Sequence, residues 1–284
     1  MTPPPEYMPA LVTPFTRTGS LELTDFAGNV RILADTGMTG FVIAGSNGEG
    51  PYLEPGERLK LVKAVRRRKA HLMVGISGES TRMALSQVAE AEEAKADSVL
   101  VMTPTTSARG RPEAMIEHYR VIADASKLPV YVYSVPPVTA YSLPIDVVAK
   151  LSRHRNIVGM KDSSGDVVRL QSILDATPRG FILYSGSSRA ITGAMAVGCH
   201  GAITGSGNYL PRLVQEVLAK AKDDPKSARR LQKRLSSISA EIEAHGAPGV
   251  KAAAKAAGLE PGYPRLPLTR LSRGHETSLI KLIN

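Results

Sequence analysis

The chain has 284 residues, 43% of them hydrophobic, with 36 Lys and Arg against 26 Asp and Glu, a formal net charge of +10 and one cysteine. This length and apolar content can bury one full core of the α/β barrel size, and no apolar stretch approaches the roughly 20 residues of a membrane span. The lone Cys199 excludes an internal disulfide framework and a cysteine-based metal site, and the six scattered histidines lack paired ligand spacing, so no metal is expected.

The opening Met1-Thr2-Pro3-Pro4-Pro5 has neither the basic nor the apolar region of a secretion signal, which makes a cytoplasmic protein the expectation. A β-rich run at Ala10–Thr13 precedes a helical face of Phe26, Val30 and Leu33; a second run, Gly40–Ala44, ends in Gly45-Ser46-Asn47-Gly48-Glu49. Glycines let backbone approach a ligand closely, so the N–H groups of this loop, with the side chains of Ser46 and Asn47, can hold a carboxylate. A simple turn is the plainer reading, and nucleotide binding has little support because the lysine and spacing of a P-loop are missing. The basic run Arg66-Arg67-Arg68-Lys69, like Arg229, Arg230 and Arg234, reads as a helix face. Without a nucleic-acid module or aromatic interleaving, this charge implies a solvated surface that attracts anionic substrates and no nucleic-acid partner.

The third run, Leu72–Gly75, leads into Gly75-Ile76-Ser77-Gly78-Glu79, a weak echo of the first glycine loop. Ser98–Met102 is the fourth, and Pro112 starts a helix carrying Met115, Ile116, Tyr119 and Ile122. The fifth, Val130–Tyr133, ends on a tyrosine, and the sixth, Ile157–Lys161, ends abruptly on a lysine before a polar turn. Asp166 can cap the next helix, which carries Leu170, Ile173 and Leu174. Phe181–Ser185 and Gly201–Thr204 complete the strands, and the remainder is helical, with Leu213, Val214, Val217 and Leu218, then Leu231, Leu235, Ile238 and Ile242, then Val250–Ala257.

Eight strands alternating with helices predict an α/β fold, a (β/α)8 TIM barrel, with residues 1–208 as its core and a C-terminal helical extension, 209–284, packed on the barrel or on a neighbouring subunit. An open doubly wound sheet is the structural alternative. In a barrel the loops after the strands converge at one mouth, which would gather the glycine loop, Tyr133 and Lys161. An amine at the end of a buried strand is partly desolvated, which favours attack on a carbonyl to form an imine; a strand ending in a solvated cation is the bland alternative.

Leu11-Val12-Thr13-Pro14-Phe15, Gly45-Ser46-Asn47-Gly48-Glu49, Thr103-Pro104, Tyr133 with Val135-Pro136, Gly159-Met160-Lys161-Asp162-Ser163 and Ser185-Gly186 give nearly the whole chain a further meaning. Through them it resembles the dihydrodipicolinate synthase and N-acetylneuraminate lyase superfamily of pyruvate-type aldolases. The resemblance implies a homotetramer of barrels without a cofactor, in which Lys161 forms an imine with a 2-oxo acid, Tyr133 shuttles protons, and Ser46 and Asn47 hold the carboxylate. The arginine with which the synthases grip their second substrate would fall at Val138, and the acidic residues of sialate lyases near Ser188 and Arg189. Asn156–Ser163, Ser164-Gly165-Asp166-Val167 and Gly249-Val250-Lys251 bring the chain closest in resemblance to 4-hydroxy-2-oxoglutarate aldolase. That implies cleavage to pyruvate and glyoxylate, with Ser163 touching substrate and Gly186 and Ile203 bordering the pocket through their backbones.

One departure stands out: the family's tyrosine pair after Thr-Pro is replaced by Thr105-Thr106-Ser107-Ala108. Its loss can alter the substrate, slow proton transfer or abolish the family's usual reaction. Arg109 or Arg111 can meet a distal carboxylate, or be plain surface arginines. The leading expectation is a lyase acting on 4-hydroxy-2-oxoglutarate or a related 2-oxo sugar acid. The alternatives are a synthase-like condensation, a sugar-acid dehydratase, and a catalytically silent sensor of 2-oxo acids.

Overall fold

The computed structural model describes residues 4–66, 69–106 and 108–283; Met1, Thr2 and Pro3 of the opening segment, Arg67 and Arg68 of the basic run, and Ser107 lie outside the described residues. Eight strands form one parallel sheet: β1 Tyr7–Pro9, β2 Gly40–Ile43, β3 His71–Ile76, β4 Ser98–Met102, β5 Val130–Ser134, β6 Ile157–Asp162, β7 Ile182–Ser185 and β8 Gly201–Thr204. β1 pairs with β8, and the ring closes on its other side where Ala10 bridges Val42 and the Leu11 N–H donates to the Val42 carbonyl at 2.9 Å. The fold is therefore a (β/α)8 barrel, and the open sheet is excluded.

Strands buried on both faces read as continuous apolar runs, as in Phe41-Val42-Ile43 and Val99-Leu100-Val101, all fully or almost fully buried. On β5 the period of two sends Val130 and Val132 outward under the helices and Tyr131 and Tyr133 into the barrel, beside Met8, Val42, Met73, Leu100 and Ile203. The helix Pro112–Ala125 begins at its proline and buries Met115, Tyr119 and Ile122. Asp166 caps Val167–Ala176 by accepting the Arg169 N–H at 3.1 Å.

The first strand differs from its expected place at Ala10–Thr13. Tyr7, Met8 and Pro9 form the ladder with Ala202, Ile203 and Thr204. Val12 and Thr13 instead bond loops: the Val12 N–H donates to Asn208 Oδ1 at 3.1 Å and Thr13 Oγ1 to the Gly48 carbonyl at 2.7 Å. The prolines around Tyr7 and Met8 mask their strand character, because proline is tolerated where no ladder N–H is needed.

The helix Pro211–Asp223 buries Leu213, Val214, Val217 and Leu218 in the barrel's outer core and so completes the ring beyond residue 208. Helices Pro225–Glu243, Gly246–Ala256 and Arg273–Ile283 follow. Their Ile238, Ile242, Val250, Ala253 and Leu279 pack on Val12 and Tyr209, which sit just past the ends of β1 and β8, so this cap lies at the mouth. Arg229, Arg230 and Arg234 face solvent. Among the described residues no helix is long and apolar enough to cross a membrane.

Candidate active site

The parallel register sets Tyr133 of β5 beside Lys161 of β6, at the C-terminal ends of both strands. Each is only 4% exposed, and Lys161 Nζ stands 4.3 Å from the centre of the Tyr133 ring. The Tyr133 hydroxyl lies 3.2 Å from Ser46 Oγ, which joins the glycine loop to the pair. Burial alone pushes a phenol up. Here the charge of Lys161, with hydrogen bonding from Ser46, Ser163 and Lys161 itself, outweighs burial and holds Tyr133 below the usual tyrosine value. Thr103 fixes the end of β5, its Oγ1 donating to the Tyr133 carbonyl at 3.0 Å and lying 3.1 Å from the Tyr119 hydroxyl. Asp162, next to the lysine, is held by Arg169 Nε at 2.9 Å and by Ser164, so its carboxylate shapes the turn.

Gly186 follows β7 and donates its N–H to the Asp162 carbonyl at 2.7 Å. A Cβ there would overlap Ser163 Oγ and stand 2.9 Å from Lys161 Cε, so glycine keeps the space beside the amine open. Lys161, Tyr133, Ser46, Ser163 and Gly186 thus converge. Ile203, fully buried in the barrel's inner cluster, pairs with Met8. Asn47 turns toward β8, with its amide nitrogen 2.7 Å from where a Cβ of Gly205 would stand. Arg109 and Arg111 are exposed and, among the described residues, pair with no carboxylate.

Four further residues shape the mouth and carry no periodic signal in the sequence. Buried Arg58 donates to the Gly50 carbonyl at 2.6 Å, to the Gly75 carbonyl at 3.1 Å and to Ser77 Oγ at 2.8 Å, which ties the two glycine loops together. Glu49, in the left-handed region at φ 56°, is buried against Lys251 with a separation of 2.5 Å and accepts the Arg265 N–H at 2.7 Å. Burial pulls Lys251 down to about 8, although Glu49 opposes that shift. Glu79 clamps the segment that replaces the tyrosine pair: it accepts the N–H groups of Thr105 at 3.0 Å and Thr106 at 3.1 Å, and both hydroxyls at 2.5 and 2.8 Å. Finally, Glu243 reaches from the C-terminal cap to the loop after β7, where Ser188 Oγ donates to it at 2.6 Å, and it also accepts from the Tyr209 hydroxyl, beyond β8, at 3.2 Å. Burial raises the Glu243 carboxyl overall, against the lowering effect of the hydrogen bonds from Ser188 and Tyr209 and of the charges of Arg189 and Lys161. An acidic group therefore does stand beside Ser188, supplied from a distant helix.

This arrangement can do covalent chemistry on a carbonyl: a sheltered amine, a phenol held toward its ionised form, and hydroxyls to carry a proton away. Among the described residues no group of three or more His, Cys, Asp and Glu side chains could hold a metal ion.

Residues 4–284 match the model of the dihydrodipicolinate synthetase family. The chain is 33% identical over 279 residues to the 4-hydroxy-tetrahydrodipicolinate synthase of Exiguobacterium sp., covering 95% of this chain and 94% of that protein. To 4-hydroxy-tetrahydrodipicolinate synthase 1 of Streptomyces coelicolor it is 34% identical over 278 residues, covering 95% and 90%. Among solved structures, dihydrodipicolinate synthase of Bacillus anthracis superposes with a TM-score of 0.94 at 29% identity, covering 100% of this chain and 98% of that one. The chloride-inhibited synthase of Acinetobacter baumannii, complexed with pyruvate, gives 0.91 at 29% identity, covering 98% and 97%. These relatives carry the synthase name, so they support the superfamily and do not single out its 4-hydroxy-2-oxoglutarate aldolase branch.

Proposed function

The chain belongs to the dihydrodipicolinate synthetase family, and from that premise we propose that it is an imine-forming carbon-carbon lyase, cleaving 4-hydroxy-2-oxoglutarate or a related 2-oxo sugar acid to pyruvate and an aldehyde. The observation that carries this reading is the buried Lys161 amine beside Tyr133. Lys161 Nζ attacks the 2-oxo carbon and water leaves, with Tyr133 and Ser46 moving the protons. The protonated imine withdraws electrons, so when the Tyr133 phenolate takes the proton of the C4 hydroxyl, the C3–C4 bond breaks to aldehyde and enamine. Protonation of the enamine at C3 and hydrolysis of the imine release pyruvate and restore the amine. Ser46 and Asn47 hold the carboxylate, Ser163 touches substrate, Gly186 and Ile203 border the pocket, and no cofactor takes part. We also propose a cytoplasmic homotetramer.

A second reading, condensation of pyruvate with an aldehyde, is favoured by the names of the relatives. The apolar, 57% exposed Val138 weighs against it, because it stands where the resemblance places a carboxylate-gripping arginine. The deciding experiment is incubation with pyruvate or 4-hydroxy-2-oxoglutarate, borohydride reduction and peptide mass spectrometry, beside an assay of pyruvate with aspartate semialdehyde. A reduced adduct on Lys161 with pyruvate released from the second compound is expected. Condensation without cleavage would install the second reading, and no adduct with either compound would remove both.

A further inference from the structure

A cavity of about 800 Å³ opens at the other end of the barrel, among the N-terminal ends of the strands. Its walls include Val158 and Ile182, its rim carries Arg153, Arg155 and Arg179, and Tyr131 lines its depth. Tyr131 is only 3% exposed, and its environment is burial alone, with no hydrogen-bond partner among the described residues. The ring lies over Gly159, where a Cβ would come 2.6 Å from Cε1, so glycine at that position lets the tyrosine lie across the barrel. Its neighbour Tyr184, 6.2 Å away between ring centres, satisfies its own hydroxyl by donating to the Pro5 carbonyl at 2.8 Å. The Tyr131 hydroxyl, unbonded to protein among the described residues, opens on the cavity, where it is free to donate to a bound group.

The charge around the opening is one-sided. The three arginines are exposed and pair with no carboxylate among the described residues. Asp97, at the cavity edge, is already taken by Arg66 at 2.6 Å and the Leu72 N–H at 2.7 Å, and His154 pairs with Asp124 at 3.0 Å. Guanidinium groups above an apolar wall, with one neutral donor below, suit a molecule with acidic groups and a short carbon body.

We propose that this cavity is a second binding site, for a small organic anion with two or more negative charges, whose anionic oxygens pair with Arg153, Arg155 and Arg179 and accept a hydrogen bond from the Tyr131 hydroxyl. Carboxylates and phosphate esters share that chemistry. Calorimetric titration of the full-length protein with citrate, with glycerol 2-phosphate and with inorganic phosphate, at about 0.15 M salt, with and without saturating pyruvate, distinguishes them. Saturable binding of citrate or the ester that pyruvate leaves unchanged is expected, and whichever binds names the acidic group. An Arg153→Ser/Arg179→Ser variant should weaken it by about tenfold or more, and Tyr131→Phe by a smaller factor. The control Arg229→Ser/Arg230→Ser, which removes equal charge from an exposed helix face, should not weaken it. Competition with pyruvate, equal weakening by the control, or binding of none of the three probes would overturn the proposal.

Discussion

Tyr131 and Tyr133 sit on one strand, point into one barrel and are buried alike, at 3% and 4% exposure, yet their phenols are pushed in opposite directions. The layers they belong to differ in what β6 sets opposite. Tyr133 faces Lys161, whereas Tyr131 faces Gly159. Where burial acts alone it raises the phenol; where a cation and hydroxyl donors share the space, their attraction for the phenolate exceeds the desolvation and the sign reverses. The two ends of the barrel are therefore built from the same side chain and divided by its neighbour.

The largest break in this comparison is Lys161→Ala, which should abolish the borohydride-trapped adduct and turnover; an adduct on another residue of that variant would end the imine reading. Tyr133→Phe keeps the ring and should still form the adduct while turnover falls about 10²-fold or more, read by pairing trapping with steady-state rates. Tyr131→Phe should leave those rates unchanged. Gly159→Ala, whose Cβ would press the Ile182 carbonyl and stand 2.6 Å from the Tyr131 ring, should lower stability by about 1–3 kcal/mol in denaturant unfolding. Ultraviolet titration of the tyrosinates sharpens the electrostatic claim. Removing the cation in Lys161→Met favours the neutral phenol, so the earliest ionisation should move to higher pH, and Tyr131→Phe should not move it.

The smallest effect concerns the loop that lacks the tyrosine pair. Glu79 is burdened by burial but held below the ordinary carboxyl value of 4.5 by its bonds to Thr105 and Thr106. A carboxyl depressed in the folded state stabilises above its unfolded value, and that contribution fades as pH falls through the folded one. Glu79→Ala should accordingly speed hydrogen exchange of the Thr105 and Thr106 amides at neutral pH and make little difference at acid pH.

Much of the barrel is legible in the sequence because strands and helices announce themselves by local period. The Lys161 and Tyr133 ends of β6 and β5 stand out for the same reason: an apolar run stops on a functional group. What resists such reading is pairing across sequence distance. Arg58 joins two glycine loops, Glu79 grips a segment after the next strand, and Glu243 reaches Ser188 across 55 residues. None of these has a spacing to detect. The first strand was hidden differently, since prolines beside Tyr7 and Met8 suppress the run that Ala10–Thr13 displays more plainly.

The buried contact of Glu49 with Lys251 and with the Arg265 N–H has a consequence in time. Glu49 is synthesised 216 residues before Arg265, roughly 10–40 s earlier at about 5–20 residues per second. Until Lys251 is made the barrel strands can pair, but the carboxylate at the end of the glycine loop has no counterion. Glu49 is held by residues made after all eight strands, so a product that stops before Lys251 keeps its lysine and tyrosine and lacks the support beneath its glycine loop. A supported glycine loop is then a report that synthesis has passed Arg265.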